Sequence, residues 1–441
     1  MRTWSWGLLL GNLALLALAP APVKAGLKIQ HWQTESGIRV YFARAPELPI
    51  VDMRLVFDAG SARDGELPGL ANMTTTLLNE GSGDLDSDQI AIRFEELGAQ
   101  YSSDVERDQA SVSLRSLSDP KLLAPALDTF IQVVTAPSFP QDAFARVKNQ
   151  TLVTLREEAQ NPEEIAGKAF FRAVYGEHPF GSPITGTEPS VRVIQPEDVR
   201  AFHEQHFVAG NATLAIVGDL TREQAEQIAA RVDKRMPQDE APAPLPTVEP
   251  LAEAKAVKIP FPSEQAHVFI GQPGIPRGHP DYFPLYVGNH VLGGSGFTSR
   301  LVKEVRVERG LSYSVYSYFQ PELVAGPFII GLQTRVDQAA LAAQVARDTT
   351  KTFVQEGPTK QELALATSNI TGGFPLRIDS NADILEYLAM LGYYRMPLNY
   401  LDTFNENVEA VDQAEILRAF QARLEVGKMV QVVVGGDGRG S

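Results

Sequence analysis

Two short runs near the start of the chain, DMRLVFDAG (52–60) and ASVSLRSL (110–117), alternate apolar and polar side chains. Successive side chains on a strand point to opposite faces, so this period of two predicts half-buried strands. KLLAPALDTFIQVVTAP (121–137) and DAFARVKNQTLVTLREEAQ (142–160) instead place apolar residues three and four apart. That spacing predicts amphipathic helices, each ending near a proline. The succession then returns: AHVFIGQPG (266–274) and PFIIGLQTR (327–335) read as strands, LAAQVARDTTKTFVQEG (341–357) as a helix. The predicted class is α+β, with two units, each a mostly antiparallel sheet with helices packed on one face.

The two units echo each other. GSG at 81–83 recurs at 294–296, an offset of 213, and LAIVGD (214–219) recurs as VVVGGD (432–437), with Gly218 opposite Gly435 at an offset of 217. FPQDAFARVKNQ (139–150) is answered by PTKQELALATSN (358–369). Similar offsets in the same order indicate a duplicated domain. Between the copies, residues 237–256 hold the Pro-, Ala- and acid-rich stretch PQDEAPAPLPTVEPLAEA and read as a linker. The domains are therefore placed at 26–236 and 257–441.

Residues 1–25 have a different character. Arg2, the apolar run GLLLGNLALLALA (7–19) and Val23-Lys24-Ala25 have the layout of a secretory signal peptide. An uncleaved anchor is the alternative. No other stretch reaches the ~18 apolar residues of a spanning helix. The chain is acidic, with 54 Asp+Glu against 39 Lys+Arg, which argues against nucleic acid as a partner. Cysteine is absent, excluding disulfides, thiol catalysis and thiolate metal sites. Export without disulfides fits a periplasm or another compartment beyond a bacterial inner membrane.

Four longer segments carry a resemblance: YGEHPFGSPITGTEPSVRVI (175–194), FHEQHFVAGNATLAIVGD (202–219), SRLVKEVRVERGLSYSVYS (299–317) and GGFPLRIDSNADILEYLA (372–389). Over essentially the whole chain after residue 25, the sequence resembles the pitrilysin/insulinase metallopeptidases, in particular their short bacterial members with two homologous domains. Such enzymes hold catalytic zinc with His-x-x-Glu-His on a helix, plus a glutamate some 75 residues later. Positions i and i+4 share a helical face, so both imidazoles reach one ion while the intervening glutamate acts as base. Aligned through Gly69 and the GSG turn, the motif falls on Asn72-Met73-Thr74-Thr75-Thr76. Asn72, Thr75 and Thr76 are not a zinc site. The later glutamate falls near Thr154, with Glu157 and Glu158 leaving that register open. His203-Glu204-Gln205-His206 has histidines three apart beside a strand, and reads as structural.

The resemblance also implies a surviving half of the site. Family enzymes carry an arginine and a tyrosine seven residues apart in the second domain, and Arg306 and Tyr313 have that spacing. Ser299–Arg309 is expected to be helical, Gly310 to cap it, and Tyr313 to open a strand. The implied roles are a hydrogen bond from Tyr313 to the oxyanion of the tetrahedral intermediate and a grip by Arg306 on a substrate carbonyl. The alternative is that Arg306 caps a helix and Tyr313 is a core aromatic. GGSGF (293–297) reads as a turn, and Ala99–Ser103 as the edge strand that, in active relatives, pairs with substrate. The implied function is a non-catalytic subunit of a heteromeric zinc metallopeptidase. This chain would hold no cofactor; a homologous partner subunit would hold the zinc, and the substrate would be a peptide or unfolded polypeptide. The alternative is a structural or peptide-binding scaffold with no part in catalysis.

Overall fold

The computed structural model describes residues 27–436, so the leader read at 1–25 lies outside the described residues. The first unit contributes β1 (Ile29–Gln33), β2 (Arg39–Arg44), β3 (Ile50–Phe57), the small hairpin β4 (Gly81–Ser82) and β5 (Leu85–Asp86), then β6 (Gln100–Val105), β7 (Ala110–Leu117) and β8 (Ala212–Gly218). The second contributes β9 (Ala256–Ile259), β10 (Gln265–Pro273), β11 (Ser314–Phe319), β12 (Pro327–Arg335) and β13 (Val430–Val434). Residues 237–255 between them form neither helix nor strand. No helix among the described residues is long and apolar enough to cross a membrane.

The duplication is visible in the sheets. The first runs β1-β2-β8-β3-β7-β6 and the second β9-β13-β10-β12-β11. In each, one outer pair is parallel (β2 with β8, β9 with β13) and the following three pairs are antiparallel. Apart from the extra β1, the two sheets trace the same path. Gly218 and Gly435 occupy equivalent strand ends with φ of +144° and +146°. A Cβ at either would come within 2.2 Å of Ile50 O or 2.6 Å of Gln265 O, so both positions require glycine. Gly83 and Gly296, the last residues of the repeated GSG, also match at φ +57° and +59°.

The α+β class and mostly antiparallel pairing are as expected, but the sheets are covered more fully than the alternation implied. β7 alternates buried and half-buried as predicted. β8 is buried at every position and β3 at six of eight, because both of their faces are covered. Leu214 and Ile216 point into the core shared with the first unit's own helices. Ala215 and Val217 pack on Ile384, Leu385, Leu388 and Ala389, which lie on the Asn381–Tyr393 helix of the second unit. The first unit reciprocates. Its Pro162–Tyr175 helix lays Ala166, Phe170 and Val174 on Val430, Val432 and Val434 of β13. Each unit thus lends one helix to close the other's sheet. Gly392 permits the approach, since a Cβ there would lie 2.5 Å from Thr213 Cγ2 and 2.7 Å from the Tyr41 ring.

Polar contacts tie the same seam. Tyr175 OH donates to Ala325 O (3.0 Å), and Leu323 N donates to Asp108 Oδ2 (2.8 Å). Tyr394 OH donates to the same carboxylate oxygen (3.1 Å), while Tyr393 OH donates to Asp108 O. Asp108 and Glu322 each keep one buried carboxylate oxygen without a partner. Burial, together with mutual repulsion acting on Glu322, raises both carboxyls above their ordinary range.

Candidate functional site

The helix aligned with the zinc motif spans Leu70–Leu77. Leu70, Ala71, Met73 and Leu77 anchor it in the first unit's core. Its N-terminus is held by Asp64, which accepts from Gly69 N and Ala71 N, both at 2.7 Å. Burial nevertheless pushes this carboxyl up to about 8. Asp64 lies five residues before the N-cap Gly69, outside the position where a capping acid is looked for, so the pattern reading missed it. The helix packs against β6, the outermost strand of its sheet, so the segment read at Ala99–Ser103 does lie at a free edge.

None of the three motif positions offers a ligand set. Asn72 and Thr76, four apart on this helix, are half-buried and exposed, but an amide and a hydroxyl do not replace the two imidazoles that zinc needs there. Thr75 is buried and its Oγ1 has no hydrogen-bond partner. A hydroxyl is a poor zinc donor beside imidazole or carboxylate, and this one is short and enclosed. Thr154 is half-buried on the Gln141–Glu158 helix and Glu157 is exposed. Glu158 is committed to Lys168 and to Thr185 Oγ1 (3.0 Å). Among the described residues, no group of three or more His, Asp or Glu is placed to hold a metal ion. The residues present do not fit zinc.

His203 and His206 lie on the last turn of the Pro196–His206 helix, both buried. His203 Nε2 pairs with Val134 O (2.8 Å), and its ring stacks on Phe207 at 5.0 Å. Burial lowers His203 below the ordinary imidazole range and takes His206 to about 4. Both are neutral core residues.

Arg306 and Tyr313 present the opposite picture. The predicted helix at 299–309 is wound mainly as a π-helix over Val302–Val307. Glu308 N reaches Lys303 O (2.9 Å), five residues back, and Leu311 N reaches Val305 O (2.9 Å). Wide turns of this kind are rare and concentrate at functional sites. Gly310, at φ +61°, closes the helix as expected, donating to Arg306 O (3.0 Å). The strand then opens at Ser314, one residue after Tyr313. Val315 and Ser317 point inward, but Tyr313, on the same parity, lies beyond the end of the sheet and is 81 % exposed. It is not a core aromatic. Nor does the Arg306 side chain cap the helix: it makes no hydrogen bond or ion pair among the described residues, whereas Arg309 binds Glu304 O (2.7 Å).

Arg306 is held by aromatic faces instead. Its guanidinium carbon lies 5.2 Å from the Tyr313 ring centroid and 4.8 Å from that of Phe297. Cation–π contact orients a guanidinium without neutralising it, so its N–H donors stay available. Phe297, which closes the GGSGF segment, is 72 % exposed. The sequence reads that segment as a turn; a bulky aromatic closing a glycine-rich turn was the available signal for Phe297.

A family profile described as "Insulinase (Peptidase family M16)" matches residues 39–188, and one described as "Peptidase M16 inactive domain" matches 194–370. Among solved structures, a "peptidase M16 inactive domain" from Pseudomonas fluorescens superposes with a TM-score of 0.90 at 40 % identity, covering 93 % of this chain and 98 % of that one. The "Non-peptidase homolog YmxG" of Helicobacter pylori is 27 % identical over 394 residues, 88 % of this chain and 89 % of its own length. The "Uncharacterized zinc protease YmxG" of Bacillus subtilis is 24 % identical, over 80 % of this chain and 85 % of its own length. The chain belongs to peptidase family M16, as a member whose zinc-motif positions carry Asn72, Thr75 and Thr76.

Proposed function

We propose that this chain is the non-catalytic subunit of a heteromeric zinc metallopeptidase, acting beyond the inner membrane on peptides or unfolded segments. A homologous partner holds the zinc, and this chain supplies Arg306 and Tyr313 to the substrate bound there. The observation that carries the reading is the contrast within one fold: no ligand set on the Leu70–Leu77 helix, and an exposed arginine–tyrosine pair on the second unit. Tyr313 OH is free to donate to a carbonyl oxygen as negative charge develops on it. Arg306, oriented by two rings, donates to a neighbouring substrate carbonyl. Donors fixed before reaction stabilise charge without reorganising during it. Export rests on the leader at 1–25, and fractionation of the tagged full-length chain tests it; retention in the cytoplasm overturns it.

The test of function is reconstitution. The chain alone is expected to show no peptidase activity, and adding the zinc-bearing homologue is expected to give activity that collapses in Tyr313→Phe. Activity indifferent to that substitution refutes the assigned role. The second reading is a scaffold of the same fold; the Helicobacter pylori relative is named a non-peptidase homolog, which fits both readings. For a scaffold, the partner's activity is unchanged by adding this chain.

A further inference from the structure

A second polar site lies in the second unit, separate from Arg306 and Tyr313. The Tyr282–Asn289 helix continues as a π-helical stretch over His290–Gly294, and together they face β11 across a cavity of about 490 Å³. A volume of that size accommodates one or two side chains of a ligand. The chain carries 54 acidic side chains, yet no Asp or Glu lines this cavity. Arg277, Arg377 and His290 line it, beside Tyr282, Tyr286 and Tyr318.

The two arginines form no ion pair among the described residues. Arg377 Nη1 donates to Tyr286 OH (2.8 Å). Arg277 lies over the rings of Tyr282 (5.9 Å) and Tyr394 (5.1 Å), and its buried Nε has no partner. Its backbone N–H binds Glu322 O (2.8 Å), so that carboxyl is nearby, but the two side chains form no ion pair. His290 Nε2 is likewise buried and unpartnered. Burial, and then the charge of Arg377, hold His290 below the ordinary imidazole range. Two arginines and an unsatisfied imidazole nitrogen face one space whose own lining holds no carboxylate, although Arg277 also faces Asp104, Glu106 and Glu386 in the neighbouring cavity. The rings of Tyr282 and Tyr286 stack at 5.7 Å and 12°, giving a planar wall.

We propose that this cavity binds a carboxylate of a peptide, with Arg377 and Arg277 as its charge partners and the Tyr282–Tyr286 pair packing on the flanking side chain. The chemistry of the anion follows from the lining residues. The choice of a peptide over a small free dicarboxylate rests on the proposed function.

The test is calorimetric titration of the purified chain, without any partner, using the blocked pentapeptide Ala-Tyr-Glu-Tyr-Ala and its glutamine counterpart. The glutamate peptide is expected to bind about ten- to a hundred-fold more tightly, the size of a charge-assisted pair. That preference is expected to vanish in Arg377→Gln, whose exposed position spares the fold, and to shrink with added salt. The titration uses neither zinc nor a partner chain, so failure of this site and failure of the proposed function are read out separately. Equal affinity for the two peptides overturns the proposal, as does absence of binding or a preference that survives both Arg377→Gln and Arg277→Gln. Succinate binding as tightly as the peptide, with the same dependence on Arg377, overturns the choice of a peptide.

Discussion

The Leu70–Leu77 helix with edge strand β6, and the Tyr282–Asn289 helix with edge strand β11, are the same construction in two copies. At the 213-residue offset, Asn72, Thr75 and Thr76 stand opposite Leu285, Gly288 and Asn289. Neither copy offers a metal-binding set. In the first, Thr75 has turned into the interior with an unsatisfied hydroxyl. In the second, Gly288 packs against Phe420, and Asn289 Nδ2 is tied to Ser317 O (2.8 Å). The copies differ in what they leave at the surface. Beside the second, Arg306 lies between two exposed rings. The fold tolerates loss of the zinc ligands because Leu70, Ala71, Met73 and Leu77 do the packing. Stability and chemistry sit on different residues of one helix.

The largest expected effect concerns the exchange of helices between the copies. Phe170 is fully buried against β13, and Phe170→Ala is expected to cost about 3–5 kcal/mol through lost burial and an unfilled cavity. Leu388, its counterpart on the other lent helix, is expected to cost about 2–5 kcal/mol on truncation. Urea unfolding of either variant should remain one cooperative transition, because each helix is continuous with one unit and packs on the sheet of the other; two separate transitions would show that the copies are stabilised independently.

Next in size is Tyr313→Phe in the reconstituted complex, where loss of one oxyanion donor is expected to lower turnover by about 10²–10³-fold. The same substitution should shift thermal stability of the lone chain by no more than about 0.5 kcal/mol, since the residue is exposed. A comparable loss of stability would mean that the residue packs rather than reacts.

The seam supplies a pH test. Burial first, and then repulsion from Asp108, raise the Glu322 carboxyl above its unfolded value. A carboxyl raised in the folded state contributes stability that is complete below the ordinary carboxylate range and lost as pH rises through the folded value. Stability is therefore expected to fall from mildly acidic to alkaline pH, and Glu322→Gln should flatten that slope. A steeper slope in the variant would reverse the sign of the argument.

The smallest effect returns to the empty motif. Thr75→Val replaces an unpartnered buried hydroxyl with a methyl of the same shape and is expected to stabilise by about 1 kcal/mol. Thr74→Val, by contrast, removes the bond to Leu70 O (2.8 Å) and should destabilise. Similar losses from both would mean that the Thr75 hydroxyl has a partner in solution.

Much of this was legible in the chain. The period-two run 110–117 became β7 and PFIIGLQTR became β12 with the same bounds, because their patterns report on neighbours within one sheet. Gly218 and Gly435 revealed the duplication because a required positive φ leaves no other choice of residue. The coverage of both sheet faces was not legible. Phe170 and Leu388 read as ordinary apolar positions of amphipathic helices, and periodicity does not say whose sheet they cover. The π-winding around Arg306 also escaped, since apolar spacing does not distinguish it from an α-helix over six residues. The pairing of Arg277 with Arg377 depends on contacts 100 positions apart, beyond any local motif.

Metal analysis of the purified lone chain, after equilibration with zinc and removal of the unbound ion, tests the central claim most directly. The account predicts no stoichiometric zinc and no peptide cleavage by that sample. One zinc per chain together with cleavage would contradict it.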